Sequence, residues 1–446
     1  MQLLQTIINS FFQFKAYVML PIIIIIIGLI SGMKPKHALM ASLRLAAGFA
    51  GIFIAFEFFV DTINPAVQAL VQVRGLDLPI LDVGWPPLAA ITWASPIAHI
   101  SIPLIIALNV IMLSTNLTKT IYIDIWNYWH FAMLGALVLH SSQSLLLGLL
   151  ATSLIAIYTI KMADWTGPEV QREMGLEGIT ISPLSSVGLY PYATGVDALL
   201  KKIPGLKNIN YNPSEQEKEP SVFSEPMVIG VLVGIALGLA AGYHIKELLE
   251  LSVHIAAVMF ILPKCGNLIG EGMGAVSLAL RERIQKHFPK KSDLLIALDS
   301  GVVMHNRSIL TTGIILMPIA ILLALIIPGN KTLPLGDLPA LISQVAVIVL
   351  VCRGNVFRSV IAGIPLVIGY LLIATKLAPL ITMLSHQVGT PTPEGILITS
   401  LTDGGNPLRY WGYMLFQGNV VALLLIFVFG VLLIMGHKRY KKECQL

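Results

Sequence analysis

Apolar residues along this chain gather into long runs broken by short polar stretches. A hydrocarbon core is crossed by about 20 apolar helical residues. Runs of that kind predict spans at Ala16–Met33, Ala41–Val60, Pro96–Ser114, Met227–Tyr243, Ser252–Gly266, Ile309–Pro328, Ala340–Cys352, Ser359–Leu380 and Val420–Gly436. The run Phe131–Ile160 is too long for one pass, and His140-Ser-Ser-Gln-Ser144 interrupts it. Read as two passes joined by that polar turn, it brings the prediction to eleven spans. The pattern predicts an all-α polytopic membrane protein.

Two segments fit neither a span nor an ordinary loop. Glu177–Asp197 is moderately apolar, rich in hydroxyls, and broken by Pro183 and Pro191. Gly395–Leu415 contains Leu401-Thr-Asp-Gly-Gly-Asn-Pro-Leu-Arg-Tyr-Trp411. Irregular polar backbone at membrane depth is tolerated only where protein or a cavity surrounds it. Both therefore read as re-entrant hairpins, and a pair of opposite orientation fits an inverted repeat with a midplane site. A surface amphipathic helix followed by a turn is the plainer reading of each. The polar stretch 208–220 reads as a cytoplasmic linker between a first half, 1–207, and a second, 221–446, of a single membrane domain.

Composition agrees with this picture. Of 446 residues 56% are hydrophobic and 12% charged, with a mean hydropathy of +0.81. A soluble domain carries about 25% charged residues. The formal charge of +5 does not point to nucleic acid, because the basic residues cluster beside apolar runs. With the N-terminus outside, eleven spans place the clusters Lys34/Lys36, Arg281–Lys291, Arg353/Arg358 and His437–Lys442 in the cytoplasm. Only scattered single charges fall outside, which is the positive-inside pattern. The C-terminus is then cytoplasmic. The first apolar run lacks a cleavage site and reads as a retained span. Cys265, Cys352 and Cys444 lie in no metal or redox motif. Phosphate-loop, zinc-hydrolase and nucleophile-elbow motifs are absent from the sequence, which leaves an enzymatic reading without support. The sequence calls for no cofactor.

Several polar groups are candidates for contact with a cargo. Asp299 and His305 precede a clean span, where a carboxylate and an imidazole are expensive unless paired or used. An Asp cap with a solvated His is the bland alternative. Gln143 sits in the turn that interrupts Phe131–Ile160. Ser182, Ser185 and Ser186 offer hydroxyls in the first hairpin; Asp403 and Asn406 offer polar contacts in the second, where Gly404 and Gly405 permit close backbone approach. Trp85 and Trp93 fit either an interfacial belt or stacking on a sugar face. Asp124-Ile-Trp-Asn-Tyr-Trp-His130 has helical spacing, and its aromatics favour a membrane-surface helix over a docking role. Hydroxyls both donate and accept, so this inventory suits a neutral, multi-hydroxyl cargo.

The motifs Asp82-Val-Gly-Trp-Pro86, Thr92-Trp-Ala-Ser95, Asp124-Ile-Trp-Asn127 with His130, Leu176-Glu-Gly-Ile179, Ala241-Gly-Tyr243, Leu298-Asp299, Arg353-Gly-Asn355 with Phe357-Arg358, and Asp403-Gly-Gly405 with Pro407 occur in this order. In this the chain resembles the galactitol-type enzyme IIC of the bacterial phosphoenolpyruvate-dependent sugar phosphotransferase system. The resemblance covers essentially the whole chain. It implies kinship with the ascorbate-type IIC permeases, with eleven spans, two inverted hairpins, a homodimer, and a core domain moving as an elevator against a dimerisation domain. It also implies release of the sugar inward to a separate IIB subunit, charged by IIA, that carries the phosphoryl cysteine. One departure stands out. Galactitol-type chains often carry a His just beyond the proline after Glu-Gly-Ile, where this chain has Ile181-Ser-Pro-Leu-Ser-Ser186. The departure leaves another hexitol, a pentitol or a related sugar open.

The expectation is a polyol permease in the bacterial inner membrane, its cargo held between the hairpins by Asp299, His305, Asp403 and Asn406. The competing expectation is an ion-coupled secondary transporter of a polar small molecule, with Asp299 or Asp403 as the coupling carboxylate.

Overall fold

The structure is a computed structural model that describes residues 16–74, 80–122, 124–206, 209–214, 226–287, 293–334, 336–387 and 397–445. The chain begins with helices α1 (Ala16–Ile30) and α2 (Pro35–Arg74). Strand β1 (Ile80–Asp82), α3 (Trp85–Ala94) and α4 (Pro96–Ser114) follow. Then come β2 (Thr120–Tyr122), a 3-10 turn (Ile125–Tyr128), α5 (Trp129–Ser142) and α6 (Leu145–Met174). Strand β3 (Ile179–Ile181) leads to α7 (Leu184–Val187) and α8 (Tyr190–Leu200).

The second stretch repeats this order. Helices α9 (Pro226–Ala240) and α10 (Ile245–His287) precede β4 (Leu295–Leu298), a 3-10 turn (Ser300–Val303) and α11 (Arg307–Ile326). Next are β5 (Thr332–Leu333), α12 (Leu341–Gln344), α13 (Ala346–Val351) and α14 (Val356–Gln387). Strand β6 (Leu397–Thr399), α15 (Pro407–Phe416) and α16 (Val420–Glu443) close the described chain. The repeat extends to detail. The α1–α2 turn has Gly32 at φ 90°, with the Met33 N–H donating to Gly28 O; the α9–α10 turn has Gly242 at φ 75°, with the Tyr243 N–H donating to Gly238 O. Both are helix ends closed by a left-handed glycine.

Among the described residues five helices are long and apolar enough to cross a membrane: α4, α6, α11, α14 and α16. The expected break in Phe131–Ile160 falls where Gln143 adopts a left-handed φ of 53° and ends α5. Ser144 then caps α6 by accepting from the Leu147 N–H. The expected runs Ala41–Val60 and Ser252–Gly266 lie inside the much longer helices α2 and α10. Ala340–Cys352 is two short helices broken at Val345 rather than one.

The expectation of an all-helical fold needs one correction. The described chain contains six short strands, in two three-stranded parallel sheets ordered β5-β1-β6 and β2-β4-β3. Each sheet takes its central strand from one stretch of the chain and both flanking strands from the other. Ile80 and Leu81 pair with Thr332 and Leu333 on one side and with Leu397 and Ile398 on the other. Ile296 and Ala297 pair with Ile121 and Tyr122, and also with Ile179 and Thr180. A buried backbone that leaves a helix must find partners for its N–H and C=O groups. These exchanged strands supply them, and they lock the two stretches together. Two apolar cores surround the sheets, one built largely on α11 to α14, the other on α3 to α6.

The expected linker 208–220 is described only at 209–214; 208 and 215–220 lie outside the described residues, as do 395 and 396 of the second expected hairpin. What is described of the linker is exposed at 209, 210 and 214 and docked at Asn212 and Pro213. Asn212 is buried, donates to Arg353 O at 3.2 Å and accepts from Ser308 Oγ at 2.7 Å.

Candidate functional site

Three adjacent parallel strands, β2, β4 and β3, end together. Just past their carboxyl ends stand Asp124, Asp299 and Ser182. The three side chains meet on one amide. Asn127 Nδ2 lies 2.6 Å from Asp124 Oδ2 and 2.9 Å from Asp299 Oδ2. Ser182 Oγ donates to Asp124 Oδ2 at 2.5 Å, and Tyr122 Oη holds the Ser182 carbonyl at 2.5 Å. Asp299 Oδ1 accepts from the Gly301 N–H at 2.9 Å, so the bland reading of Asp299 as a turn cap holds for one oxygen while the other joins the cluster.

The cluster continues through α5 into the Asp403 segment. His130 Nε2 is 3.1 Å from Asn127 Oδ1, and His130 Nδ1 is 3.1 Å from Arg409 Nη2 and 3.2 Å from Asp403 Oδ1. Arg409 is fully buried, also donates to Asp403 O, and lies over the Trp129 ring at 5.7 Å. Asn406 caps α15 by accepting from the Leu408 and Arg409 N–H groups at 3.1 and 3.0 Å. Asp403 thus faces the guanidinium and the imidazole, while Asp124 and Asp299 share the Asn127 amide. Buried charges are tolerated when paired and hydrogen-bonded. Several groups nevertheless lack a hydrogen-bond partner: Asp124 Oδ1, Asn406 Nδ2 and Arg409 Nε.

Asp299, Ser182 and Asp403 of the expected contacts are therefore brought together, and Asn406 sits beside them. Ser185 and Ser186 are buried on α7, and Ser186 Oγ has no partner. His305 is half-buried with Nδ1 unpartnered, and no hydrogen bond among the described residues ties it to the cluster. Gln143 is exposed, about 20 Å up α5 from His130 at 1.5 Å per residue. It borders a separate cavity of about 390 Å³ together with His140, Gln387 and Met133. The expected cargo role of Gly404 and Gly405 changes. A Cβ at Gly404 would lie 2.5 Å from Ser400 O, and one at Gly405 would lie 2.3 Å from Leu401 O and 2.4 Å from Tyr370 O. The close approach is to the protein's own backbone.

Sequence reading missed Asp124, Asn127, His130 and Arg409. The segment 124–130 is not a surface helix. Asp124, Asn127 and His130 are 6%, 3% and 3% exposed, because β3, β4 and the Asp403 segment close over them. Their three-residue spacing, a polar stripe among aromatics, was the available signal.

A second polar cluster is structural. Arg172, Arg439 and Arg358 donate to the carbonyls of Leu350, Val351 and Cys352, capping the end of α13. Glu169 and Asp197 balance them, with Arg439 Nε 2.6 Å from Glu169 and Arg358 Nη1 2.6 Å from Asp197. Arg353-Gly-Asn-Val-Phe-Arg358 is the turn that feeds this cluster. At the entrance of the β2-β4-β3 sheet, outside the spans, Lys119 Nζ donates to Asp293. That bond holds the Asp293 carboxyl below the usual carboxylate range and the lysine above its own.

Residues 10–395 match the family model for the PTS system sugar-specific permease component. The chain belongs to this family. It is 35% identical over 410 residues to the PTS system galactitol-specific EIIC component of Escherichia coli strain K12, covering 92% of this chain and 90% of that relative. The same figures hold for the counterpart in Escherichia coli O157:H7. A permease IIC component of strain K12 is 35% identical over 420 residues, with 94% of each chain covered. As an EIIC permease component this chain is a multi-pass inner-membrane transport subunit of the phosphotransferase system, not the subunit that carries the phosphoryl group.

Proposed function

We propose that this EIIC chain carries galactitol or a related polyol, and that the cargo is held at the Asp124–Asn127–Asp299–Ser182 cluster beside His130, Asp403 and Arg409. The observation that carries the reading is the set of buried, unpartnered polar atoms at the joined ends of strands drawn from both stretches of the chain. Carboxylates, an amide and a hydroxyl facing one point suit sugar hydroxyls. The name of the galactitol-specific relatives supports the substrate class.

The segments around 177–197 and 395–415 act in this reading as re-entrant hairpins of an inverted repeat, with halves 1–207 and 221–446 joined by 208–220. The four helices α1, α2, α9 and α10 pack chiefly on one another, which supports a dimerisation body against which the remainder moves as an elevator. The chain works as a homodimer, with eleven spans, its N-terminus outside and its C-terminus cytoplasmic. It releases the polyol inward to a IIB subunit charged by IIA, and phosphorylation traps the product.

The test is uptake into sealed proteoliposomes. Polyol phosphate accumulates inside when IIB, IIA and a phosphoenolpyruvate-driven supply are enclosed, and it collapses when IIB is omitted. Accumulation of unmodified polyol driven by a proton or sodium gradient without IIB overturns this reading in favour of an ion-coupled transporter.

A further inference from the structure

The two sheets offer an internal comparison. Asp82 follows the first residues of the central strand β1, and Asp299 follows the central strand β4. Each accepts from the amide two residues on, Gly84 and Gly301, at 3.1 and 2.9 Å. Each faces a second carboxylate that follows a flanking strand of the other stretch: Asp337 after β5, and Asp124 after β2. The two carboxylate pairs are topological equivalents.

Their hydrogen bonding is not equivalent. Asp82 takes the N–H groups of Gly84 and Leu401 on Oδ1 and that of Asp337 on Oδ2. Asp337 Oδ1 takes the Trp85 N–H at 2.6 Å, and Oδ2 takes the Thr402 N–H and hydroxyl at 3.1 and 2.9 Å and the Ser400 hydroxyl. Every carboxylate oxygen of that pair is used. At the other pair, Asp124 Oδ2 is used by Asn127 and Ser182, while Asp124 Oδ1 is buried and has no hydrogen-bond partner among the described residues.

Local chemistry explains the vacancy in the bonding pattern. Trp85 is the third residue after Asp82. Its counterpart, the third after Asp299, is Val302, and the Val302 N–H turns back to the Asp299 carbonyl at 3.2 Å in a 3-10 turn. The chain leaving β3 continues as Ser182-Pro183, so the N–H that Leu401 gives to Asp82 has no counterpart toward Asp299. The donor that closes Asp337 Oδ1, the Trp85 N–H, is the one missing at Asp124 Oδ1. A buried carboxylate oxygen without a donor is expensive to maintain, and an incoming hydroxyl would satisfy it.

Resting on the polyol-permease reading above, we propose that Asp124 Oδ1 accepts a hydrogen bond from one cargo hydroxyl and sets which hydroxyl-bearing carbon the permease demands. The Asp82–Asp337 pair is the fixed strut of the other sheet and touches no cargo. The occupant must bring a hydroxyl donor and no negative charge, because Asp124 and Asp299 have only the neutral Asn127 between them. A sugar acid is excluded by the same pair of carboxylates.

The experiment is calorimetric titration of the purified full-length permease with galactitol and with each of its monodeoxy analogues, in the wild type and in Asp124→Asn. A hydrogen bond to a charged acceptor is lost at a cost of about tenfold to a hundredfold in affinity. One deoxy position is expected to show that loss in the wild type and no further loss in Asp124→Asn, whose affinity for galactitol itself is lowered by a similar factor. If Asp124→Asn does not fold, Asp124→Glu carries the same comparison, since it keeps the charge and moves the oxygen. Binding of galactitol by the variant at wild-type affinity, or an undiminished loss for every deoxy analogue, overturns the role of Asp124 alone. Failure of the wild type to bind any polyol overturns the function reading, and this inference with it.

Discussion

The amide of Asn127 dictates the proton on His130. Asn127 Nδ2 sits within hydrogen-bond reach of both Asp124 and Asp299, so its Oδ1 must be the atom 3.1 Å from His130 Nε2. Nε2 therefore carries hydrogen, and Nδ1 faces both Arg409 Nη2 at 3.1 Å and Asp403 Oδ1 at 3.2 Å. The proton on Nε2 follows from the network that contains the ring.

Asn127→Asp replaces the bridging donor with a third carboxylate between two others. An uncompensated buried charge costs about 3–5 kcal/mol. We expect a marked drop in the midpoint of thermal unfolding in detergent, partly recovered by Asn127→Asp with Asp124→Asn. An unchanged midpoint in the single variant contradicts the bridge.

Arg409 and Asp403 form the other half of the network, with Arg409 Nη2 3.6 Å from Asp403 Oδ1. Arg409→Leu strands a buried carboxylate and should destabilise by about 3–5 kcal/mol, while the double change Arg409→Leu with Asp403→Leu should recover most of the loss. Transport should stay absent in both. Restored transport in the double variant would mean the pair only holds the Asp403–Arg409 segment together.

Gly405→Ala tests the packing role of the paired glycines. The added carbon would press on two backbone carbonyls, Leu401 O and Tyr370 O, which no rotamer change relieves. Folded yield should fall sharply, as judged by size-exclusion chromatography. A well-folded Gly405→Ala that loses only polyol affinity would return the glycines to cargo contact.

The Lys119–Asp293 bond gives a small pH dependence. Its bond to Lys119 lowers the Asp293 folded value below the unfolded one, about 3.9. Its contribution is therefore present above the unfolded value and lost as pH falls through the folded one. The difference in unfolding midpoint between wild type and Asp293→Asn should shrink below about pH 4. The pair is more than half exposed, so high salt should shrink it too. A difference that is constant with pH would rule the bond out.

The sequence made the long apolar helices and the break at Gln143 legible, because those are local. The strands were not legible. Each is two to four residues long and acquires partners only from distant parts of the chain, such as Ile80 with Leu397. The same physics hid half of the site. Asp124, Asn127 and His130 among aromatics read as an interfacial helix when only their own segment is considered. Their burial comes from β4, β3 and Arg409, which arrive from far along the chain. Asp403 and Asp299 were legible because a charge inside an apolar chain stands out on its own.

An experimental structure of the permease with bound galactitol tests the central claim most directly. We predict polyol hydroxyls within hydrogen-bond distance of Asp124 and Asp299 at the end of the β2-β4-β3 sheet. Cargo lodged instead in the cavity lined by His140, Gln143 and Gln387, with the Asp124–Asp299 cluster closed and untouched, would contradict it.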